Sequence, residues 1–233
     1  MLPLSLEDVS YGAGGRRILH GVTARIEAGP RTVILGPNGA GKSVLMRICH
    51  GLMKPTAGSV RWLGGNGRGR QAMVFQRPVM LRRSALGNAV YGLKLAGYSR
   101  RERELRARDV LEAVGLEQRA QQPARLLSGG EQQKLALARA WALGPEVLFL
   151  DEPTANLDPV ATRELETIIG QIRAGGTKIV MTTHNLGQAR RLGDEILFIS
   201  DGRLVERAPV ERFFAQPASA EAAAFIRGEL PWT

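Results

Sequence analysis

The order of apolar and polar side chains along the chain predicts both strands and helices. Residues 2–11 and 17–29 alternate roughly between the two types, which indicates two antiparallel strands near the N-terminus. Shorter runs, several of them apolar almost throughout, predict further strands at Thr32–Leu35, 58–65, 71–76, 147–151, 177–183 and 195–206. Helical spacing predicts helices at Val44–Leu52, Val160–Ala174, Asn185–Leu192 and, in an Ala-rich tail, 218–225.

The middle third of the chain has a different pattern. Residues 77–140 show helical spacing and no strong strand, and a Gly-rich loop at 64–70 precedes them. Strands that alternate with helices on both sides of this region favour a largely parallel sheet. We therefore predict one α/β domain with an N-terminal antiparallel β-subdomain. Its core comprises residues 1–76 and 141–233, and residues 77–140 form an inserted α-helical lobe.

Composition narrows the class of protein. Of the 233 residues, 44% are hydrophobic and 5% are aromatic, so aliphatic side chains must build the core. The single cysteine, Cys49, permits no intrachain disulfide and favours a reducing compartment. No run approaches the roughly 18 apolar residues of a membrane span. The N-terminus lacks the basic start of a signal peptide, so we expect a cytosolic chain.

The formal net charge of +10 leaves three interpretations open. The chain could bind nucleic acid, could be attracted to an anionic membrane face, or could simply be rich in arginine. The densest basic run, residues 99–109, interleaves its arginines with Glu102, Glu104 and Asp109. That pattern is typical of a solvated helix face.

Residues 33–43 read VILGPNGAGKS and match the pattern G-x-x-x-x-G-K-[ST]. Backbone N–H groups freed by the glycines can point at phosphate oxygens, and the helix that follows adds its positive N-terminal end. Lys42 can reach the β- and γ-phosphates, and the Ser43 hydroxyl can bind Mg²⁺. The alternative is a plain glycine turn between strand and helix. The nucleotide-binding residues predicted in this loop are Gly36, Pro37, Asn38, Gly39, Ala40, Gly41, Lys42, Ser43 and Val44. The motif therefore predicts that the core is that of a P-loop nucleoside triphosphatase.

Two carboxylates stand at the end of the apolar strand 147–151. Ligands of open α/β sheets bind at the carboxyl ends of the strands, so these side chains are well placed for chemistry. Asp151 can hold Mg²⁺, directly or through water. Glu152 can take a proton from the attacking water, a role worth about 10²–10⁴-fold in rate. An ordinary acidic pair at the end of a strand is the alternative.

The stretch LSGGEQQKLALARA, residues 127–140, is the most informative. Ser128 and Glu131 have the spacing of a capping box that opens a helix. Gly129 and Gly130 then occupy the first helical positions, where glycine is a poor helix former and a cap does not need it. Two glycines there would let the phosphates of another molecule approach the helix N-terminus.

With these motifs the chain resembles the ATP-binding-cassette (ABC) family, over nearly its whole length and in the family's order. The family signature matches Leu127, Ser128, Gly129 and Gly130, and Glu131 stands where many members have glutamine. The resemblance implies that two copies pair head to tail with ATP between them. The phosphate loop of each copy then faces the Ser128–Gly130 end of the other.

The resemblance also implies roles for four scattered residues. Tyr11 would stack on adenine, and Gln76 would meet Mg²⁺ and the transport partner. Asp158 lies in the family's D-loop, and His184 would lie near the γ-phosphate. Alone, each has an ordinary interpretation: a strand-end aromatic, a surface amide, a helix N-cap and a polar residue at a strand end. The catalytic group implied is Lys42, Glu152 and His184, with ATP and Mg²⁺ as cofactors and with Ser43, Gln76 and Asp151 holding the metal.

The resemblance favours the ATPase subunit of an importer, bound peripherally at the cytoplasmic face of the membrane. The partners implied are a second copy of the chain, permease subunits and, indirectly, a substrate-binding protein, with no nucleic acid. Residues 77–95 look like the segment that docks a permease's coupling helix. The alternative is that Val79, Met80 and Leu81 only pack within the helical lobe.

Residues 75–84 and 225–230 are similar to cassettes of tungstate and related oxyanion importers, with a polar amino acid or phosphate as alternative cargo. Two other classes compete with transport. A soluble ABC ATPase acting on nucleic acid or ribosomes is disfavoured because the chain has one phosphate loop and no sustained heptads. A regulatory phosphate-binding module without hydrolysis is disfavoured by the presence of Glu152 and His184.

Overall fold

The computed structural model describes residues 1–64 and 71–229. Its strands are β1 (Leu4–Ala13), β2 (Arg16–Ile26), β3 (Thr32–Leu35), β4 (Ala57–Trp62), β5 (Gln71–Val74), β6 (Val147–Asp151), β7 (Lys178–Thr183), β8 (Glu195–Ser200) and β9 (Arg203–Pro209). Its α-helices are α1 (Lys42–His50), α2 (Ala85–Leu95), α3 (Arg100–Ala113), α4 (Gly129–Trp141), α5 (Pro159–Ala174), α6 (Leu186–Leu192), α7 (Val210–Ala215) and α8 (Ala220–Ile226). The predicted loop at 64–70 lies, apart from Gly64, outside the described residues.

The described residues divide into two compact units. The first unit comprises residues 1–64 and 178–229, and the second comprises residues 71–177. The predicted helical lobe, residues 77–140, falls wholly within the second unit, which also contains β5, β6 and α5. The boundaries drawn between core and lobe stay a prediction. Among the described residues, no helix is both long enough and apolar enough to cross a bilayer.

The first unit contains two groups of strands. Strand β1 pairs antiparallel with β2 and with β4, which is the predicted N-terminal antiparallel sheet. Strand β3 lies parallel to both β7 and β8, and β9 runs antiparallel to β8. Every residue of β3 and β7 is buried. Strand β3 is apolar apart from Thr32, whereas β7 buries Lys178, Thr182 and Thr183 together with three apolar residues. Leu35 pairs with Thr183, so the residues that follow both strands meet at one edge.

Helix α1 starts and ends two residues earlier than predicted. Gly41 adopts a left-handed conformation and precedes Lys42 as the N-cap residue. Gly51 is also left-handed, and its N–H donates to the carbonyl oxygens of Arg47 and Ile48. This closure at Gly51 ends the helix at His50, before the predicted limit.

Aromatic side chains fix the C-terminal helices of the first unit. The ring of Phe198 on β8 lies 5.6 Å from Phe213 on α7 and 5.2 Å from Phe225 on α8, measured between centroids. All three are almost completely buried. The Ala-rich tail therefore forms a docked helix, as predicted.

The second unit joins a parallel strand pair to helices. Val74 of β5 pairs with Leu150 of β6, which sets the register of the two strands. Helices α2 and α3 pack through a small apolar cluster that includes Leu93 and Ala107. Only Ala107 and Leu111 of α3 are buried, so the arginine-rich run forms a solvated helix face, as its charge pattern predicted.

Candidate functional site

The phosphate loop of the first unit is closely packed against neighbouring backbone. It follows β3 and leads into α1. A Cβ atom at Gly36 would overlap the carbonyl oxygen of Ile199, at the end of β8, so this position needs glycine to fold. The loop therefore starts in a fixed position, and its glycine is required by the chain's own packing.

Lys42 is folded back onto its own loop. The side chain is 5% exposed, and Nζ donates to the carbonyl oxygens of Gly36 at 2.9 Å and Pro37 at 2.8 Å. The ammonium group is thus held inside the curve of the loop, at the N-terminal end of α1. A helix N-terminus and a buried ammonium group together favour an anion at this place.

The turn between β8 and β9 braces the loop. The N–H of Gly202 donates to Ala40 O at 3.2 Å, and the N–H of His20 on β2 donates to Gly202 O at 2.9 Å. Asp201 and Gly202 both have positive φ values, as a tight two-residue hairpin turn requires. The strand predicted over 195–206 is in fact a hairpin of β8 and β9, because Asp201 and Gly202 form a turn, and the contact of this turn with the loop was not predicted. The Asp-Gly pair signals a turn, but nothing in its pattern indicates which loop the turn would touch.

Tyr11 and His184 both lie close to elements of the loop. Tyr11 pairs with Leu19 across the β1–β2 ladder, and a Cβ at Gly41 would lie 2.8 Å from Leu19 Cδ2. His184 directly follows β7, whose last residue pairs with Leu35, the residue before the loop. The first unit thus brings the predicted adenine-stacking and switch residues to the same region as the phosphate loop.

Asp151, Glu152 and Gln76 lie at one end of the strand pair in the second unit. The β5–β6 register places Gln76 level with Glu152, just beyond the carboxyl ends of both strands. Asp151 is 2% exposed, whereas Glu152 is partly exposed. Glu152 has a φ of 45°, a left-handed conformation that is uncommon for a residue with a side chain. Such backbone strain tends to persist where it serves a function.

Four predicted site residues of the second unit, Ser128, Gly129, Gly130 and Asp158, line a common concave surface of about 250 Å³. We call it the signature surface. Its remaining lining residues are Glu131, Lys134, Asn156, Leu157, Ala161 and Glu164. Ser128 caps α4 in the predicted box: its Oγ accepts from Glu131 N at 3.3 Å, and Glu131 Oε2 accepts from Ser128 N at 2.8 Å.

Three carboxylates border the signature surface, and each has a local partner. The hydrogen bond from the backbone N–H of Ser128 holds the pKa of Glu131 below its ordinary value. Asp158 caps α5 by accepting from the N–H groups of Ala161 and Val160, and these bonds lower its pKa. Glu164 pairs with Lys134 at 3.0 Å. Their negative charge is therefore partly compensated within the chain.

The two glycines of the signature differ in their surroundings. A Cβ at Gly130 would lie 3.0 Å from the Cβ of Ala161, whereas a Cβ at Gly129 would have no described atom within 4 Å. The chain's own packing therefore does not require glycine at position 129. Since glycine is a poorer helix former than alanine, its presence there favours an external group that comes close.

A second concave surface in the second unit lies beside the segment that follows β5. We call it the permease groove, after the occupant proposed for it. Its volume is about 360 Å³, and it is lined by Ala72, Met73, Val79, Leu81, Asn88, Tyr91, Gly92, Ala136, Arg139, Ala140 and Leu143. Val79 is 73% exposed and Met80 is 5% exposed. Of the two predicted interpretations, lobe packing holds for Met80, and Val79 is left open to solvent.

The chain is similar in sequence to known proteins. The sequence model described as "ABC transporter" matches residues 19–155. A phosphate import ATP-binding protein of Natronomonas pharaonis is 36% identical over 97% of this chain and 87% of its own length. The chain belongs to the ABC transporter family. A tungstate uptake system ATP-binding protein of Peptoclostridium acidaminophilum is also 36% identical, over 88% of this chain and 98% of its own length.

Solved structures of ABC proteins share the fold. The ATP-binding subunit of an ABC transporter superposes with a TM-score of 0.83 at 26% identity, covering 98% of this chain and 99% of that chain. A dimeric ATP-binding cassette in a post-hydrolysis state, bound to ADP and Pi, gives a TM-score of 0.79 at 29% identity, covering 89% of this chain and 98% of that chain. The predicted family and fold class are confirmed, and as an ABC ATPase the chain binds and hydrolyses ATP.

Proposed function

We propose that this ABC ATPase energises a membrane permease for solute import, bound peripherally at the cytoplasmic face of the membrane. ABC importer ATPases work as dimers with permease subunits, and the phosphate and tungstate relatives are named for import and uptake. The observation that carries the proposal is the signature surface. It offers a helix N-terminus and, at Gly129, a space that no described atom fills. Such a surface suits the nucleotide of a second copy.

The loop residues Gly36–Val44 hold the triphosphate in this proposal. Lys42 Nζ exchanges its bonds to the Gly36 and Pro37 carbonyl oxygens for the β- and γ-phosphate oxygens. Because the ammonium group is already buried, little further desolvation is needed when the nucleotide arrives. Tyr11 stacks on the adenine ring beside Leu19.

Glu152 is the proposed general base, and His184 the proposed γ-phosphate contact. A carboxylate just beyond a buried strand can accept a proton from the attacking water, a role worth about 10²–10⁴-fold in rate. His184 stands at the end of β7 beside the loop, where a ring N–H can donate to a terminal phosphate oxygen.

The residues proposed to hold Mg²⁺ form an all-oxygen set. Ser43 supplies a hydroxyl, Gln76 an amide oxygen and Asp151 a carboxylate, which are ligand types that this hard cation prefers. When bound with ATP, Mg²⁺ neutralises charge on the β- and γ-phosphates. Two observations support a Mg²⁺ site at these residues: the oxygen donors that they offer, and the position of Asp151 at the carboxyl end of β6.

Two copies are proposed to close on two nucleotides. Ser128, Gly129 and Gly130 of one copy contact the γ-phosphate held by the loop of the other, and Asp158 lies beside the same contact. Closure then depends on ATP, because the ligand binds the closed pair better than the open one. The same surfaces serve both copies, as a two-fold interface requires.

The permease groove is proposed to receive a short apolar segment of the permease. The exposed side chain of Val79, together with Leu81 and Tyr91, gives the groove an apolar lining. An exposed apolar surface of this kind favours a protein partner over water. A substrate-binding protein would act on the permease and not on this chain.

The proposed cargo is an oxyanion. The phosphate and tungstate relatives are named for tetrahedral oxyanions. A strain lacking this chain should therefore lose uptake of radiolabelled tungstate or phosphate and keep uptake of amino acids. Loss of amino acid uptake alone, with both oxyanions taken up normally, would contradict the oxyanion proposal and leave the importer proposal standing.

Glu152→Gln tests the proposed mechanism. We expect the variant to bind ATP as the wild type does, to lose at least 100-fold in turnover, and to elute as a dimer only when ATP is present. Glu112→Gln on the exposed face of α3 is the matched control and should behave as wild type. Size-exclusion chromatography and an ATPase assay give both readouts. A variant that stays monomeric at saturating ATP would count against the sandwich dimer.

A further inference from the structure

The segment between β5 and α2 lacks regular secondary structure, yet a buried amide holds it in place. Asn88 on α2 is 1% exposed. Its Oδ1 accepts from the N–H of Leu81 at 3.0 Å, and its Nδ2 donates to the carbonyl oxygens of Ser84 at 3.0 Å and Arg83 at 3.3 Å. One side chain thus replaces several of the backbone bonds that a strand or helix would provide.

Arg139 on α4 completes this arrangement. Its Nη1 donates to the carbonyl oxygen of Val79 at 2.8 Å and, over a longer 3.4 Å, to Asn88 Oδ1. Burial lowers the pKa of Arg139, so its charge is partly removed from water. A desolvated guanidinium depends on the hydrogen bonds that it makes, and both of these acceptors belong to the segment or to its anchor.

Helix α4 connects this contact with the signature residues. It runs without interruption from Gly129 to Trp141, so Arg139 lies ten residues, about 15 Å, from the signature end. Arg139 and Val79 both line the permease groove. The hydrogen bond from Arg139 to the Val79 carbonyl oxygen therefore joins the backbone that lines the groove to α4.

We propose that Asn88 and Arg139 form a polar clasp that couples occupation of the permease groove to the signature end of α4. Arg139 is a positioning residue here, because it acts through the helix and not on the nucleotide. The nature of the natural occupant rests on the proposed function, but the coupling itself lies within the second unit. It is therefore testable on the isolated chain.

The test uses an artificial occupant at position 79. Val79→Cys places a thiol on an exposed residue of the groove, which fluorescein maleimide can then fill. The native thiol, Cys49, is buried, and burial raises its pKa to about 12, so it should not compete for the label. Labelled and unlabelled protein are compared for ATP turnover and for affinity for a fluorescent ATP analogue. Leu105→Cys on α3, 53% exposed and outside the groove, is the matched control.

We expect the label at position 79 to change kcat at least threefold while nucleotide affinity stays within about 1.5-fold. In Val79→Cys/Arg139→Met the ratio of labelled to unlabelled kcat should return to within about 1.5-fold of one. In Val79→Cys/Arg139→Lys, a single ammonium group replaces the guanidinium fork, so the label effect on kcat should fall by at least half. The label on Leu105→Cys should leave kcat unchanged.

Two results would overturn the clasp. The first is a label effect on kcat in Val79→Cys/Arg139→Met that is as large as in Val79→Cys alone. If that double variant does not fold, an undiminished label effect in Val79→Cys/Arg139→Lys would overturn the clasp in the same way. The second is a label at position 79 that leaves kcat unchanged. Turnover by the unlabelled Val79→Cys protein separately reports on ATPase function. A protein that hydrolyses ATP normally but shows no Arg139-dependent label effect refutes the clasp and leaves the proposed function intact.

Discussion

A buried lysine in the first unit should make the free energy of unfolding rise with pH in the alkaline range. Lys178, at the start of β7, is 4% exposed. Its Nζ donates to Thr32 Oγ1 at 2.8 Å and to the carbonyl oxygen of Pro30. Burial lowers the pKa of Lys178 to about 8, and the carboxylates of Glu195 and Asp194 act in the opposite direction. The protein therefore holds a lysine whose charged form is disfavoured by folding.

The direction of this pH effect follows from the protonation of Lys178 in the folded and in the unfolded chain. Below about pH 8 the lysine is charged in both folded and unfolded chains, and the folded chain bears the full cost of the buried charge. Between about pH 8 and the ordinary lysine value of 10.5, the unfolded chain binds more protons, so the free energy of unfolding rises with pH. At about 1.4 kcal/mol per pH unit, the gain is at most roughly 3 kcal/mol.

Urea unfolding between pH 7 and pH 11 measures this effect. We expect the free energy of unfolding of the wild type, relative to Lys178→Met, to rise by about 2–3 kcal/mol over this range. Other groups titrate equally in both proteins, so the difference isolates Lys178. Lys54→Met removes an exposed lysine and should follow the wild type. Parallel pH profiles for the wild type and Lys178→Met would refute the reasoning.

Three further predictions concern the nucleotide surfaces and the core. Ser128→Arg should block hydrolysis without reducing ATP binding, because Ser128 is proposed to contact the nucleotide of the second copy. An equal loss of affinity would place Ser128 in the local site. Gly36→Ala should lower Tm by several degrees, because the added Cβ would overlap the carbonyl oxygen of Ile199. Gly129→Ala should keep or raise Tm and still reduce turnover, because the space for its Cβ is open. An equal loss of Tm in both variants would contradict this difference. Phe225→Ala should cost about 3–5 kcal/mol in urea unfolding, and a loss below about 1 kcal/mol would show that α8 does not depend on the aromatic cluster.

Most of the order of elements could be predicted, because burial leaves a direct mark on the sequence. The exceptions are the β8–β9 hairpin, which was predicted as one strand, and α7. Strands such as β3 and β6 are buried throughout, so their residues are apolar apart from one at an end of each strand, and they stand out from their surroundings. The capping boxes at Ser99 and Ser128 depend on residues three positions apart, and that local spacing is visible in the sequence. The start of α1 is harder to place, because the left-handed Gly41 acts as its N-cap without any capping side chain.

Contacts between distant residues could not be predicted in this way. Arg139 and Val79 are 60 positions apart, and Gly202 lies far along the chain from Ala40, so no local pattern links them. The burial of Lys178 could not be predicted either, because a lysine at the start of a strand usually extends into water. Its burial depends on Thr32 and Pro30, which approach it only after β3 and β7 have paired.

The glycines separate the requirements of folding from those of function. Gly36 and Gly129 both belong to glycine-rich motifs that predict phosphate binding, yet their surroundings are opposite. At Gly36 the chain's own backbone already occupies the place of a Cβ, so glycine there would be needed even in a protein that bound no nucleotide. At Gly129 the place is open, and an alanine would strengthen α4, so folding alone favours replacing it. The open position is therefore the better indication of an external ligand, and it lies on the surface that the second copy is proposed to use.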